Sequence, residues 1–107
     1  MIEQPCDAEA GVGGSALFTD LYELTMAQGY WKLGMDSPAV FDMFFRRAPF
    51  AGGYAVFAGL APLLDALLSF RFSDADCAWL EADGRFEPDF VKYLADFRFT
   101  GDVYAMA

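Results

Sequence analysis

Two adjacent arginines, Arg46 and Arg47, are the residues of this 107-residue chain best suited to bind an anion. They close the apolar run that ends in Phe44 and Phe45, and a Pro-Phe turn and the glycine pair Gly52-Gly53 follow them. The guanidinium group is permanently charged, and its planar fork matches a carboxylate or a phosphate. The pattern predicts an anion site where a strand ends, although a solvated strand end that binds nothing has the same pattern.

The strand that carries these arginines is predicted from Ala39 to Arg47. Alternation with a period of two places Arg46 and Arg47 on opposite sides of it. Arg46 shares its side with Asp42, so an ion pair within the strand competes with a ligand for Arg46. The sequence therefore leaves open which of the two arginines meets a ligand.

Tyr22 is the second residue suited to ligand chemistry, because it falls in the first turn of a predicted helix. An aromatic ring at a helix end can stack on a flat heterocycle and keep its hydroxyl in water. An ordinary core tyrosine is the alternative that spacing alone favours. Asp20 is predicted as the N-cap of this helix, with Glu23 completing a capping box, and Gly34 as its stop.

The same helix carries apolar residues on several sides, which predicts that it is largely buried. One stripe at helical spacing comprises Tyr22, Met26, Tyr30 and Leu33.

The remaining elements complete a predicted α+β fold. A second strand, antiparallel to the first, is predicted from Tyr54 to Ala58, and another begins in the terminal segment 101–107. Helices are predicted over 61–69, where four leucines form a core stripe, and from the Ser73 cap to Asp83. A third short helix runs from Pro88 to about Asp96.

Composition narrows the possible functions. The chain has no histidine, which excludes histidine bases, histidine-assisted nucleophiles and histidine metal sites within it. Its net charge of -9 argues against nucleic acid and anionic membranes as partners. Asp74, Asp76 and Asp83 are better explained as helix-capping and solubilising groups than as metal ligands, since they lack a ligand-loop pattern.

The cysteines and the apolar runs indicate the cellular compartment in which the protein is expected. Cys6 and Cys77 do not form a disulfide framework, and no run is long enough to span a bilayer, which together favour the cytoplasm. Residues 1–15 are rich in glycine and acidic groups and are predicted to be a disordered leader, whereas 16–107 form the ordered domain.

Three stretches in this order resemble the N-terminal part of the nicotinate phosphoribosyltransferase family: TDLYELTMAQGYW, FDMFFRRAPFAGGYAVFAGL and TGDVYAMA. The resemblance covers residues 16–107. It implies an α+β domain packed against a C-terminal α/β barrel that is absent here, so the chain is expected to be a truncated fragment that is inactive alone. The last stretch ends at Met106 and Ala107, where the family usually continues with Pro-Glu-Gly.

The resemblance also implies an activity and a role for each candidate residue. The family makes nicotinate mononucleotide from nicotinate and phosphoribosyl pyrophosphate in NAD salvage, with hydrolysis of ATP, and with ATP and magnesium bound mainly outside this segment. By the resemblance, Tyr22 packs on the nicotinate ring in the partner subunit of a homodimer, and Asp20 supports it. At least one of Arg46 and Arg47 approaches the phosphate or pyrophosphate. The alternative is a non-catalytic acidic interaction module or a truncated, inactive gene product.

Overall fold

The computed structural model describes residues 14–106, and four α-helices lie in this part of the chain. They are α1 (Leu21–Lys32), α2 (Leu60–Leu68), α3 (Asp74–Asp83) and α4 (Pro88–Asp96), with a short 3₁₀ turn at Pro49–Ala51 between the first two. Most of the predicted leader, residues 1–13, lies outside the described residues. No helix within 14–106 is both long enough and apolar enough to cross a membrane.

Helix α3 has the ends that its sequence predicts. Ser73 is the N-cap, and its hydroxyl accepts the Asp76 N–H at 3.1 Å while the Asp76 carboxylate accepts the Ser73 N–H at 2.9 Å. This capping box satisfies two amides that the helix itself leaves without partners. Gly84 then ends the helix in the left-handed conformation, with φ of 82°, which glycine adopts without strain. The predicted helix that starts at Pro88 is also confirmed, since α4 spans Pro88–Asp96.

Helix α1 begins directly after Asp20, as predicted, but the predicted side-chain cap is wrong. The Asp20 side chain makes no capping hydrogen bond, and the Glu23 N–H bonds instead to the Asp20 backbone carbonyl at 3.1 Å. The other end is as expected: Gly34 has φ of 65°, its N–H bonds to the Trp31 carbonyl, and the Met35 N–H bonds to the Tyr30 carbonyl. These two bonds are those of a Schellman motif.

The core lies between α3, α4 and one face of α1. Its buried members are apolar and come mainly from α3, α4 and the segments flanking them: Leu24, Phe72, Leu80, Phe86, Phe90, Val91 and Leu94. Trp31 of α1 packs against this cluster, with its ring centroid 5.5 Å from that of Phe90 and 6.4 Å from that of Tyr93. The prediction that α1 is largely buried is wrong, because Leu24 is its one buried residue.

The predicted antiparallel strands are absent from the described residues, so the α+β prediction is corrected to a helical domain with extended connections. Residues 39–47, 54–58 and 101–106 contain no hydrogen-bonded strand. Alternating apolar residues favour a pleated surface, but a strand also needs a neighbour to take its backbone hydrogen bonds. These segments have no such neighbour within 14–106, and Phe41 accordingly remains 90% exposed.

Helix α2 forms close to its predicted position but does not join the core. The prediction that the leucines of this helix form a core stripe is wrong, since no residue of α2 is buried and Leu68 is 84% exposed. The ordered core therefore positions the start of α1 and leaves the segment with the two arginines on the surface.

Candidate functional site

Tyr22 stands on the open side of α1. It is the second residue of the helix and is 60% exposed. At 100° per residue it lies about 160° around the helix axis from Leu24, the residue that packs into the core. The side chain is therefore not part of the core, and its ring has one whole helix face available for a ligand or another protein surface.

An open depression of about 400 Å³ adjoins the start of α1 and is lined by Leu17, Phe18, Thr19, Asp20 and Glu23. Asp20 thus faces this depression rather than capping the helix. Two acidic groups and no cation line it, so Coulomb repulsion disfavours an anion there. A carboxylate-bearing ligand that met Tyr22 would need its positive partner from elsewhere.

Arg46 and Arg47 lie together in a bend before the Pro49–Ala51 turn, and both side chains are exposed. The Asp42–Arg46 ion pair that the sequence left open is not formed: the ion pairs in the described part of the chain join Lys32 to Glu87 and Arg85 to Asp83. Both guanidinium groups are therefore available to an anion. Neither arginine lines the depression at the start of α1.

The turn after the arginines has an unusual backbone. Phe50 and Ala51 both adopt the left-handed region, with φ of 56° and 54°, which costs energy for residues with a Cβ. Next to them, a Cβ at Gly52 would come within 3.3 Å of the Pro49 carbonyl oxygen, so a side chain there would crowd the turn. Strain of this kind is frequent at binding loops.

Two acidic residues of α3, Asp76 and Asp83, have structural partners. Asp76 belongs to the capping box, and Oδ2 of Asp83, which is buried without a hydrogen bond, lies 3.6 Å from Arg85 Nε. That separation is too long for a hydrogen bond but gives the buried oxygen an electrostatic partner. No group of three metal-ligating side chains is assembled anywhere in residues 14–106.

Cys77, on α3, is a thiol with a raised pKa. Burial raises its pKa above the ordinary value of 9.0, and the negative charges of Asp76, Asp74 and Glu81 raise it further. The thiol is therefore protonated at neutral pH, and the thiolate that a nucleophile needs is scarce.

Gln28, which is not among the residues predicted from the sequence, links α1 to the segment between α3 and α4. Its amide bonds to the backbone of Arg85 and of Glu87. A glutamine in the middle of a helix is typical of a solvated surface, and its partners lie 57 and 59 positions away. Nothing local in the sequence gave a signal for this contact.

Comparison with known proteins identifies the family. Residues 17–107 match the family model described as nicotinate phosphoribosyltransferase (NAPRTase) N-terminal domain. The chain is 50% identical over 90 residues to nicotinate phosphoribosyltransferase pncB2 of Mycobacterium tuberculosis, which covers 84% of this chain and 19% of the relative.

Relatives from other organisms give the same result. Nicotinate phosphoribosyltransferase of Bacillus subtilis is 45% identical over 92 residues, or 85% of this chain and 19% of the relative. The Homo sapiens protein of that name is 47% identical over 75 residues, or 69% of this chain and 14% of the relative. The chain thus spans less than a fifth of the length of these curated relatives, and it belongs to the nicotinate phosphoribosyltransferase family, within the N-terminal domain.

Proposed function

We propose that this chain is the N-terminal portion of an enzyme that forms nicotinate mononucleotide from nicotinate and phosphoribosyl pyrophosphate, with ATP hydrolysis, in the cytoplasm. The match of residues 17–107 to the family's N-terminal domain carries the proposal. The matched segment includes Tyr22, Arg46 and Arg47, and all three side chains are exposed. A non-catalytic interaction module is not favoured, since the relatives are named as phosphoribosyltransferases.

Tyr22 is proposed to stack on the pyridine ring of nicotinate. Its ring projects from the side of α1 opposite the core and is 60% exposed, so it has contact area to offer. Stacking of two aromatic rings contributes about 0.5–1.5 kcal/mol beyond the burial of apolar area. The residues around Tyr22 do not form an enclosed pocket for nicotinate. We therefore propose that the Tyr22 ring completes a nicotinate site on the partner subunit of a homodimer.

Arg46 and Arg47 are proposed to bind the phosphate or pyrophosphate of the sugar substrate. The chain as a whole carries a charge of -9 and repels such an anion, so local cations are required to hold it. Hydrogen bonds from a guanidinium to a phosphate are charge-assisted and are frequently bidentate. The two arginines are adjacent in the exposed bend at 46–47, and neither forms an ion pair with a carboxylate within residues 14–106, which supports this role.

The proposed reaction needs mainly positioning and charge neutralisation. The bond from the sugar C1 to pyrophosphate breaks, the pyridine nitrogen bonds to C1, and pyrophosphate departs with the electron pair of the broken bond. An aromatic ring that orients nicotinate and arginines that neutralise the leaving group both serve this transfer. Residues 14–106 do not assemble a metal site, so no step is assigned to a metal held by them. ATP and magnesium are proposed to bind elsewhere in the full-length protein.

The test is product formation by the full-length protein that carries this segment, supplied with nicotinate, phosphoribosyl pyrophosphate and ATP. We expect nicotinate mononucleotide from the unsubstituted protein and a decrease of about tenfold in kcat/KM for nicotinate in Tyr22→Ala. Tyr30→Ala is the matched control, because Tyr30 is another exposed tyrosine of α1, two turns further along. A folded full-length protein that makes no product would overturn the proposal.

A further inference from the structure

Gln28 bridges α1 to the segment between α3 and α4 with both ends of its amide. Its Nε2 donates to the backbone carbonyl of Arg85 at 3.0 Å, and its Oε1 accepts the backbone N–H of Glu87 at 2.7 Å. The two bonds have opposite polarity, so they are satisfied together in one orientation of the amide. Because both partners are backbone atoms, the contact does not depend on the flexibility of a second side chain.

The other contacts of α1 constrain its rotation less. Leu24 and Trp31 pack into the core through apolar and aromatic contacts, which tolerate a wider range of geometries than a hydrogen bond does. Lys32 pairs with the Glu87 carboxylate, but the two side chains are 63% and 44% exposed, and pairs open to solvent contribute little. Hydrogen bonds weaken steeply with misalignment. The Gln28 amide is therefore the main directional constraint on α1.

Rotation of α1 about its axis would move Tyr22. A helix with its side chains has a radius of about 5–6 Å, so a rotation of about 10° displaces a ring on its surface by about 1 Å. Misplacement by about 1 Å is enough to weaken a binding or catalytic contact severely. Tyr22 lies on the opposite side of α1 from the core and is 60% exposed, so no core contact corrects such a shift.

We propose that Gln28 is a positioning residue: by holding α1 in one rotational setting against the Arg85–Glu87 backbone, it sets the direction in which the Tyr22 ring meets nicotinate. This inference rests on the proposed function, since it uses Tyr22 as the residue that contacts nicotinate. It adds a residue outside the binding site that determines affinity for one substrate. Phosphoribosyl pyrophosphate, which is proposed to meet the arginines, is unaffected by this setting.

The test compares steady-state kinetics of the full-length protein and of Gln28→Met, which keeps the length of the side chain and removes both hydrogen bonds. We expect KM for nicotinate to rise about three- to tenfold. We expect kcat and KM for phosphoribosyl pyrophosphate to stay within about twofold of their original values. Gln28→Glu retains the acceptor for the Glu87 N–H and loses the donor, so its KM for nicotinate should lie between the two.

Ser73→Ala is the matched control, because it removes a helix cap on α3 and lowers stability without touching α1. Its KM for nicotinate should remain unchanged at a comparable loss of melting temperature. If Gln28→Met and Gln28→Glu both keep the original KM for nicotinate, the inference is overturned while the proposed function stands. If the unsubstituted protein makes no product, the proposed function fails and this inference fails with it.

Discussion

Ser15 and Asp76 lie 61 positions apart in the sequence and are joined by a hydrogen bond of 2.6 Å from the Ser15 hydroxyl to Asp76 Oδ1. The other carboxylate oxygen of Asp76 accepts the Ser73 N–H within the capping box of α3. One carboxylate, 7% exposed, thus serves both the start of α3 and the segment that leads into α1. The Ser15 hydroxyl also accepts the Leu17 N–H at 3.0 Å, which fixes the turn before α1.

Replacing Asp76 should therefore cost more stability than replacing another acid of the same helix turn. Asp76→Ala removes two hydrogen bonds to a charged acceptor and leaves two donors without partners, which costs about 2–3 kcal/mol. Asp74→Asn, at an exposed position in that turn, should cost a few tenths of a kcal/mol through the weakened helix-dipole interaction. Urea unfolding at low protein concentration measures both changes. Equal losses in the two variants would contradict the role of Asp76.

Two glycines, one inside α1 and one just past its end, should respond oppositely to alanine. Gly29 lies inside the helix, and the position that a Cβ would occupy there has no atom within 4 Å, so Gly29→Ala should stabilise the chain by about 0.5–1 kcal/mol. Gly34 has φ of 65° in the Schellman motif, so Gly34→Ala should destabilise it by about 1 kcal/mol. Thermal unfolding followed by circular dichroism gives both signs. A stabilised Gly34→Ala variant would show that the left-handed stop is not required.

Structural features that depend on residues close together in the sequence were predicted correctly more often than those that depend on distant residues. The cap of α3 by Ser73, its stop at Gly84 and the start of α4 at Pro88 depend on a few neighbouring residues, and all three are confirmed. Asp20 was placed correctly at the boundary of α1, but the hydrogen bond expected from it is absent. A good capping residue indicates where a helix starts and does not guarantee the rotamer that makes the bond.

Predictions were wrong for the strands and for the burial of α1, both of which depend on residues far away in the sequence. The alternation from Val40 to Phe45 is a real pattern, but strand formation depends on a neighbour that residues 14–106 do not provide. The face of α1 that is buried carries Leu24 and Trp31, and their partners in α3 and α4 lie too far along the chain for helical spacing alone to reveal them. Exposure of Tyr22 and of both arginines agrees with the roles predicted for them, and those roles stay predictions until substrates are bound.

Cys77 should react slowly with thiol reagents at neutral pH. Its pKa is raised above 9.0 first by burial and then by Asp76, Asp74 and Glu81, so the thiolate is scarce near pH 7. Alkylation by iodoacetamide in a Cys6→Ser background, measured from pH 7 to 10, should accelerate at a higher pH in the folded chain than in urea. Asp74→Asn should move the folded profile towards lower pH. A folded profile that coincides with the unfolded one would contradict the shift.

The same shift has a consequence for stability with a definite sign. Between the ordinary thiol pKa and the raised one, the unfolded chain releases the Cys77 proton more readily than the folded chain does. The free energy of unfolding should therefore fall as the pH rises through this window, and Cys77→Ser should reduce that dependence. Urea unfolding at several alkaline pH values measures the slope.

The arginine pair should determine affinity for the sugar phosphate in the full-length protein. Replacing the arginine that contacts phosphate removes a charge-assisted hydrogen bond, which is worth about 1.5–3 kcal/mol, so KM for phosphoribosyl pyrophosphate should rise at least tenfold. Arg46→Ala and Arg47→Ala, tested separately, identify which residue makes the contact. Arg71→Ala is the control, since Arg71 is an exposed arginine outside the bend. Unchanged KM values in both single variants and in the double variant would exclude the proposed role.

The 107-residue chain should self-associate through the extended segment 39–58. It exposes several large apolar side chains that are close together in the sequence, among them Val40, Phe41, Phe44 and Phe45. Contiguous exposed apolar surface of this kind is characteristic of surfaces that another protein covers. Light scattering should therefore give a mass above 11.8 kDa that grows with concentration.

A charged residue introduced within segment 39–58 tests whether this segment drives the self-association. Phe41→Asp should shift the chain towards the monomer, because association would bury an unpaired carboxylate. Ala75→Asp adds the same charge at an exposed position in the first turn of α3, where the helix dipole favours an acid, and should leave the association unchanged. A monomer at every concentration, or equal effects of the two substitutions, would show that segment 39–58 does not drive association.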